Sequence, residues 1–397
     1  MNKEKKRLLI LTPRFPYPVI GGDRLRIYEV CKALSTRFSL TLLSLCESKA
    51  ELSMSIPRDG VFDRVERVHL PRALSYFNAL MALPGRTPMQ VAYYRSSAFT
   101  CAIKRLLPEH DGVLAHLIRC GEYVRGATKP KILEMTDAIS LNYERVRALN
   151  GSIGLKGLVY RAEAGRLQAY ERQIIDDFDF SVLVSETDKQ FLVDETNHKV
   201  MVCSNGVDLR HLPFRNRTDS KPVIVYIGNM SSAQNMDACL YFAKDVMPHI
   251  VQRLQATFKV VGKISDDNAR RLRSLPDVEV TGQVDDIAQA VADARIGVCP
   301  VRLAAGVQNK VLEYMSLGLP VVTSKIGLEG FEARPEMELL VADTPEQYAS
   351  QIERVWNDFG LATALAQNGR AYVEAHHVWE ARLKPLLDRV GALLGDR

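Results

Sequence analysis

The chain reads as an α/β protein of two successive domains, each a parallel sheet covered by helices on both faces. Three observations predict this. Short apolar runs alternate with helical stretches from end to end, nearly every run closes on a polar residue or glycine, and a polar, proline-bounded segment at Arg215–Pro222 divides the series. With 397 residues, 47% hydrophobic and 25% charged, the chain is long enough for two cores and too ordinary in composition for a disordered or fibrous protein.

The first half opens with the strand RLLILT (7–12), the turn-rich PRFPYPVIGGD (13–23), a helix from about Arg24 to Ser35 and a second strand, SLTLLSL (39–45). DGVLAHL (111–117), PKILEMTD (130–137) and FDFSVLVSE (178–186) are further strands, with helical stretches between Asn142 and Ile175 and from Thr187 to Thr196. The second series runs through PVIVYIGNM (222–230), TFKVVGKI (257–264), VEVTGQV (278–284), IGVCPV (296–301), PVVTS (320–324) and ELLVAD (338–343). A last helix, about Val378 to Leu394, has apolar spacing suited to packing across a domain junction. The expected division is 1–215 for the first domain, 216–376 for the second and 377–397 for the closing helix.

Ligands in open α/β sheets bind beyond the carboxyl ends of the strands. The polar residues there are therefore expected to face one cleft shared by the two domains. Cys299 to Ser324 is the densest such stretch, with a strand, a turn at Ala304–Gln308, a helix Asn309–Ser316 capped by Gly318, and a strand Leu319–Val322. A helix N-terminus after a glycine turn presents unpaired N–H groups that attract phosphate. Lys310 lies in its first turn, and Glu313, one turn on, suits a ribose diol; a plain βαβ crossover is the alternative.

Gly21 and Gly22, with Asp23, Arg24 and Arg26 nearby, would let the backbone approach a diphosphate, or simply form a tight turn. His116 ends a strand where an imidazole would bind a substrate hydroxyl or assist proton transfer, against a satisfied, partly buried histidine. Asp137 is similarly placed, against a helix N-cap or turn. Asp177 and Asp179 have a DxD spacing that binds metal in some sugar transferases; a helix-end turn accounts for them more simply, and no metal site is expected. GxGxxG, GxxxxGK[ST] and GxSxG are absent, which argues against a dinucleotide dehydrogenase, a P-loop NTPase and an α/β-hydrolase.

Seven widely spaced cysteines without a CxxC pair indicate neither a disulfide framework nor a zinc site. No apolar run approaches the length of a membrane span, and the expectation is a cytoplasmic protein. The first 215 residues hold 32 Lys/Arg against 24 Asp/Glu and the rest 20 against 23, so the halves carry +8 and −3. A basic first half suits an anionic membrane surface or a phosphorylated acceptor, or is unpatterned surface charge. Scattered basic residues without interleaved aromatics argue against nucleic acid.

Taken together these segments resemble a retaining glycosyltransferase of family 4 with the two-domain GT-B fold. PYPVIGGDRLR resembles that family's N-terminal glycine loop, VLVSETD its final N-domain strand and CSNGVDL its hinge turn. VYIGNM, FKVVGK and VEVTGQV are similar to its C-domain strands, CPVRLAAGVQNKVLEYMSLGLPVV to its donor-site signature and HHVWEARLKPLL to the terminal helix that returns to the N-domain. The resemblance implies transfer of a hexose-type sugar from a nucleoside diphosphate donor to a glycan or lipid-pyrophosphate-linked acceptor, with retention, without metal and without a cofactor beyond the donor. The pattern PxR…GxQNKVLE looks like a sub-branch of bacterial exopolysaccharide assembly, on the inner face of the cytoplasmic membrane.

By the same resemblance the donor is held by Gly21, Gly22, Gly228, Asn229, Lys263, Gln283, Val284, Gly306, Val307, Gln308, Asn309 and Glu313. Lys310 and Arg302 neutralise the leaving phosphate, and His116 and Asp137 line the acceptor side. Two departures stand out. Ala305 occupies the place of the first of two family glutamates, and Asn229 with Gln234 or Asn235 stands where an Arg and a Lys commonly hold the phosphates. The rival expectations are a non-hydrolysing sugar-nucleotide epimerase and a non-catalytic sugar-nucleotide-binding protein.

Overall fold

The computed structural model describes residues 5–150, 155–217 and 220–395. Two compact units account for them: Met1–Cys203 together with Leu383–Arg397, and Ser204–Arg382. The chain passes between units at Cys203/Ser204, earlier than the expected residue 215. Arg217 explains the difference, because its guanidinium donates to the carbonyls of Val291, Ala292 and Leu317 in the second unit and so ties most of the expected linker to that unit's core. Thr218 and Asp219 of that linker lie outside the described residues.

The first unit is built on a seven-stranded parallel sheet in the order β3-β2-β1-β4-β5-β6-β7. Its strands are β1 (Arg7–Thr12), β2 (Ser39–Cys46), β3 (Arg64–His69), β4 (Gly112–His116), β5 (Lys131–Thr136), β6 (Phe180–Leu183) and β7 (Val200–Val202). The central strands β1, β2 and β4 are buried almost throughout, which is why they read as continuous apolar runs. The edge strand β3, sequence RVERVH, is half-exposed and carries three charges in six residues, so no apolar run announced it. The helix expected over Thr187–Thr196 spans Glu186–Leu192, closed early by extended backbone at Val193.

The second unit has a six-stranded parallel sheet in the order β10-β9-β8-β11-β12-β13. The strands are β8 (Val223–Ile227), β9 (Thr257–Val261), β10 (Val278–Gly282), β11 (Ile296–Cys299), β12 (Val321–Thr323) and β13 (Leu340–Val341). Both sheets reverse direction of growth beside their first strand, the switch-point arrangement of doubly wound folds. The last helix spans Trp379–Leu394, and its residues from Leu383 onward cluster with the first unit. There Asp388 pairs with Arg37 at 3.1 Å and Arg389 lies 4.4 Å over the Phe180 ring.

Candidate functional site

In the second unit the loops after β8, β9 and β10 are stitched into one shelf. Gly228 N–H donates to Val261 O at 3.0 Å, Met230 N–H to Lys263 O at 2.8 Å and Gly262 N–H to Gly282 O at 3.0 Å. Gly262 has φ +128°, and a Cβ there would stand 2.0 Å from Gly228 O, so the loops approach as closely as two backbones can. Asn229 Oδ1 accepts from Ser231 N–H, while Asn235 bridges Tyr226 OH and Asn229 O at 2.7 and 2.9 Å. Asn235 therefore shapes the loop, and its amide is spent on that. Lys263 and Gln283 are exposed and Val284 is half-buried on the strand-end loops.

Helix Asn309–Ser316 forms where predicted, with Gly306 at φ +68° in the turn before it and Gly318 at φ +73° after it. Its N-cap, Gln308, makes no capping hydrogen bond, which leaves the first-turn N–H groups free of a side-chain acceptor. The helix is set against the sheet by Tyr314, whose hydroxyl accepts from Ile227 N–H at 2.7 Å and donates to Val298 O at 3.2 Å. Gly297 is needed beneath it, since a Cβ there would meet the Tyr314 ring at 2.5 Å. Tyr314 was not singled out from sequence, although a tyrosine inside an otherwise apolar helix face is the available signal.

Three polar side chains of the signature have distinct fates. Lys310 is buried, its Nζ 3.0 Å from Gln308 Oε1 and 5.3 Å over the Tyr226 ring, and it makes no ion pair among the described residues. Glu313 is half-buried and makes no hydrogen bond there; burial pushes its carboxyl pKa up, with Lys310 opposing. Arg302 is already neutralised. Its Nε and Nη2 meet the two Asp237 carboxylate oxygens at 3.1 and 2.6 Å, and its guanidinium lies 4.5 Å over Tyr241. Asn309 accepts from Asn205 at 2.8 Å, Val307 is buried, and Ala305 stands half-exposed at the turn. A cavity of about 40 Å³ lined by Arg217, Arg295, Pro320 and Phe359 lies at the amino ends of β11 and β12, away from these loops.

In the first unit Gly21, at φ +100°, is the N-cap of helix Gly22–Ser35, and no side chain caps that helix. The cations expected beside this loop are mostly occupied. Arg24 pairs with Glu51 at 3.0 Å, and Arg26 is wholly buried with its Nε 3.1 Å from Glu134 Oε1. Arg26 thus points into the core, away from any diphosphate, because it falls on the helix face that packs on the sheet.

The same Glu134 receives His116. His116 Nδ1 stands 2.5 Å from Glu134 Oε2, and the pair is buried. Burial alone would raise the Glu134 pKa, but the His116 hydrogen bond and charge, and then Arg26, hold it down at about 2. With Nδ1–H given to the carboxylate, Nε2 is left as the face available to a ligand. Glu134 was missed from sequence because it sits mid-strand in KILEMT, and a charged residue inside an apolar strand is the signal.

Asp137 follows β5 directly and is half-buried; burial, and then the neighbouring Asp188, push its pKa up to about 7. It does not cap the next helix. That role falls to Glu171, which accepts from Ile139 and Ser140 N–H, while Asp188 accepts from Ala138 N–H. Asp177 pairs with Arg125 at 2.6 Å and Asp179 accepts from Lys131 N–H at 2.7 Å, so both carboxylates are engaged at the helix-to-strand turn.

Residues 221–358, which include the stitched loops and helix Asn309–Ser316, match the family described as Glycosyl transferases group 1. YtcC of Bacillus subtilis (strain 168), provisionally named a glycosyltransferase, is 22% identical, with 93% of this chain and 88% of YtcC covered. Sucrose-phosphate synthase from Thermosynechococcus elongatus superposes with a TM-score of 0.76 at 17% identity, over 99% of this chain and 100% of that one. Anabaena Alr3699/HepE in complex with UDP gives 0.68 at 14% identity, over 97% and 100%, and TarM gives 0.71 at 10%, over 98% of each. The chain therefore has the GT-B fold, and residues 221–358 of its second unit match the glycosyltransferase group 1 family.

Proposed function

We propose that the protein moves a sugar from a nucleoside diphosphate donor to an acceptor hydroxyl, with retention at the anomeric carbon. The observation that carries this reading is Lys310, a buried ammonium at an uncapped helix N-terminus with no carboxylate partner. A buried charge is costly unless paired, so the site favours an anion. Sugar transfer supplies one: as the glycosidic bond breaks, negative charge develops on the leaving phosphate. Lys310 and the N–H groups from Gly306 to Lys310 meet that charge.

Glu313, half-buried and without a hydrogen bond, accepts from the ribose diol, and the loop at Gln283 and Val284 meets the base. In the first unit His116 Nε2 binds a substrate hydroxyl while Glu134 fixes its tautomer, and Asp137 takes up the acceptor proton. The HepE complexes with UDP and UDP-glucose make uridine diphosphate the first donor base to test. The acceptor class that fits the sequence resemblance is a glycan or lipid-pyrophosphate-linked sugar of bacterial surface polysaccharide synthesis.

The test has two arms. A thermal-shift series across nucleoside diphosphates should show one base raising the unfolding temperature by mass action. UDP-glucose incubated with candidate acceptors should release UDP only when an acceptor is present, and a Lys310→Ala variant should lose on the order of 10²-fold in rate. Interconversion of donor sugars without acceptor would indicate an epimerase instead. Tight donor binding with no turnover on any acceptor would indicate a binding protein.

A further inference from the structure

Six of the ten large apolar side chains that stand exposed among the described residues fall within ten positions of the first unit. They are Leu74, Tyr76, Phe77, Leu80, Met81 and Leu83, with Tyr76, Phe77, Leu80 and Met81 all about 60% exposed. Helix Arg72–Met81, sequence RALSYFNALM, carries five of them, and it is amphipathic in the inverted sense. Ser75, the buried residue of the helix, Asn78 and Ala79 face the protein, with Asn78 Nδ2 donating to Arg95 O at 2.9 Å. The inner face is small and polar while the outer one is large and apolar, the reverse of an ordinary surface helix.

The stretch of sequence that holds this helix carries charge of one sign, although Glu122 and Glu66 from outside it pair with Arg95 and Arg105. From Arg67 to Pro108 the sequence holds six Lys/Arg and no Asp or Glu. Arg72, at the start of the helix, has a 70% exposed side chain and only a 3.8 Å contact with Glu47. Arg86, in the exposed loop that follows Leu83, makes no ion pair among the described residues. That loop is held in place by Arg166, which donates to the carbonyls of Ala82 and Leu83, so the apolar cluster is presented on a fixed support.

We propose that the outer face of Arg72–Met81 and its following loop is a docking surface for an anionic lipid bilayer. Aromatic, leucine and methionine side chains on one face of a short helix, flanked by the exposed Arg72 and Arg86, are what an interfacial helix buries at the headgroup boundary. The chemistry recognised is a phosphate headgroup over an acyl layer. An acidic protein would supply the charge but not the apolar depth for four large side chains that are each about 60% exposed. The surface stands independently of the transfer reading, because vesicle binding is measured without donor or acceptor.

Flotation with phosphatidylcholine vesicles, with and without phosphatidylglycerol, at low and high salt, tests it. The full chain should bind only the phosphatidylglycerol vesicles and leave them as salt rises. Arg72→Ala and Arg86→Ala should weaken binding about fivefold each. Phe77→Glu with Leu80→Glu should abolish it while the circular dichroism spectrum and unfolding temperature stay those of the parent, since both side chains are exposed. Absence of binding to phosphatidylglycerol vesicles would overturn the proposal, as would equal binding by the Phe77/Leu80 variant. So would light scattering showing a dimer of the parent that this variant dissolves, which would make the face a self-association surface.

Discussion

His116 and Glu134 face each other across adjacent strands, Nδ1 to Oε2 at 2.5 Å, and the register of β4 on β5 places them side by side. Arg26 closes the group from helix Gly22–Ser35, so one buried carboxylate serves two partners brought from two other elements and the Thr136 hydroxyl of its own strand. A histidine at the end of a strand is thereby converted from a free imidazole into one of fixed tautomer. The oriented Nε2 follows from Glu134 and Arg26 together.

Removing that carboxylate should be expensive. Glu134→Gln removes the buried charge that Arg26 Nε and His116 Nδ1 share, and loss of one member of a buried pair costs about 3–5 kcal/mol. Urea unfolding of the single variant and of Glu134→Gln with Arg26→Met would measure it, the double variant being less destabilised than the sum of the two singles. The pH dependence has a definite sign. With the folded pKa depressed to about 2, Glu134 contributes stability that is complete above its ordinary range and is lost as pH falls toward that value. The parent should therefore lose stability on acidification more steeply than Glu134→Gln, and parallel curves would contradict the assignment.

Asp137 should behave in the opposite way. Its pKa is raised to about 7, first by burial and then by Asp188, so the folded state holds this proton more tightly than the unfolded chain. The ionised group is then a liability that grows as pH rises from the ordinary carboxyl range to about 7. Asp137→Asn should raise the unfolding temperature at pH 8 and leave it unchanged near pH 4. If Asp137 accepts the acceptor proton, parent turnover should rise through about pH 7 and this limb should vanish in the variant. A variant that keeps the limb places proton uptake elsewhere.

The architecture was largely legible because parallel strands buried on both faces announce themselves as apolar runs, and β1, β2, β4 and the signature helix lie where those runs predict. β3 was not legible, since an edge strand needs only one apolar face and RVERVH shows none. At the candidate site, residue type and position along the chain singled out Lys310, Glu313 and His116 as candidates, but pairing did not follow from them. That Asp237 takes Arg302 and Glu134 takes Arg26 depends on contacts between residues 65 and 108 positions apart, which no local pattern encodes.

This pairing separates the two cations of the donor signature. Lys310→Ala removes an unneutralised buried charge and should lower turnover on the order of 10²-fold with little change in stability. Arg302→Ala removes a residue whose charge is balanced by Asp237 and whose guanidinium packs on Tyr241, so it should lower the unfolding temperature and cost turnover about tenfold or less. Steady-state kinetics and thermal unfolding on both variants decide the order. A larger loss of turnover at Arg302 would show that the Asp237 pair opens to meet the substrate.

Gly262 and Gly282 lie on neighbouring strand-end loops of the second unit and differ in the room around them. Gly262 sits at φ +128°, and a Cβ there would lie 2.0 Å from Gly228 O, whereas Gly282, at φ +80°, has nothing within 4 Å of the same atom. Both are unfavourable for alanine, but for different reasons. Gly282→Ala meets only backbone strain and should cost about 1 kcal/mol. Gly262→Ala must in addition push the loop after β8 away, breaking the Met230 N–H to Lys263 O hydrogen bond and moving Asn229. It should therefore cost more stability than Gly282→Ala and weaken nucleoside diphosphate binding roughly tenfold or more, about 1.4 kcal/mol at the least. Isothermal titration of both variants tests this: equal affinities would mean that the stitched loops hold the fold without shaping the donor site.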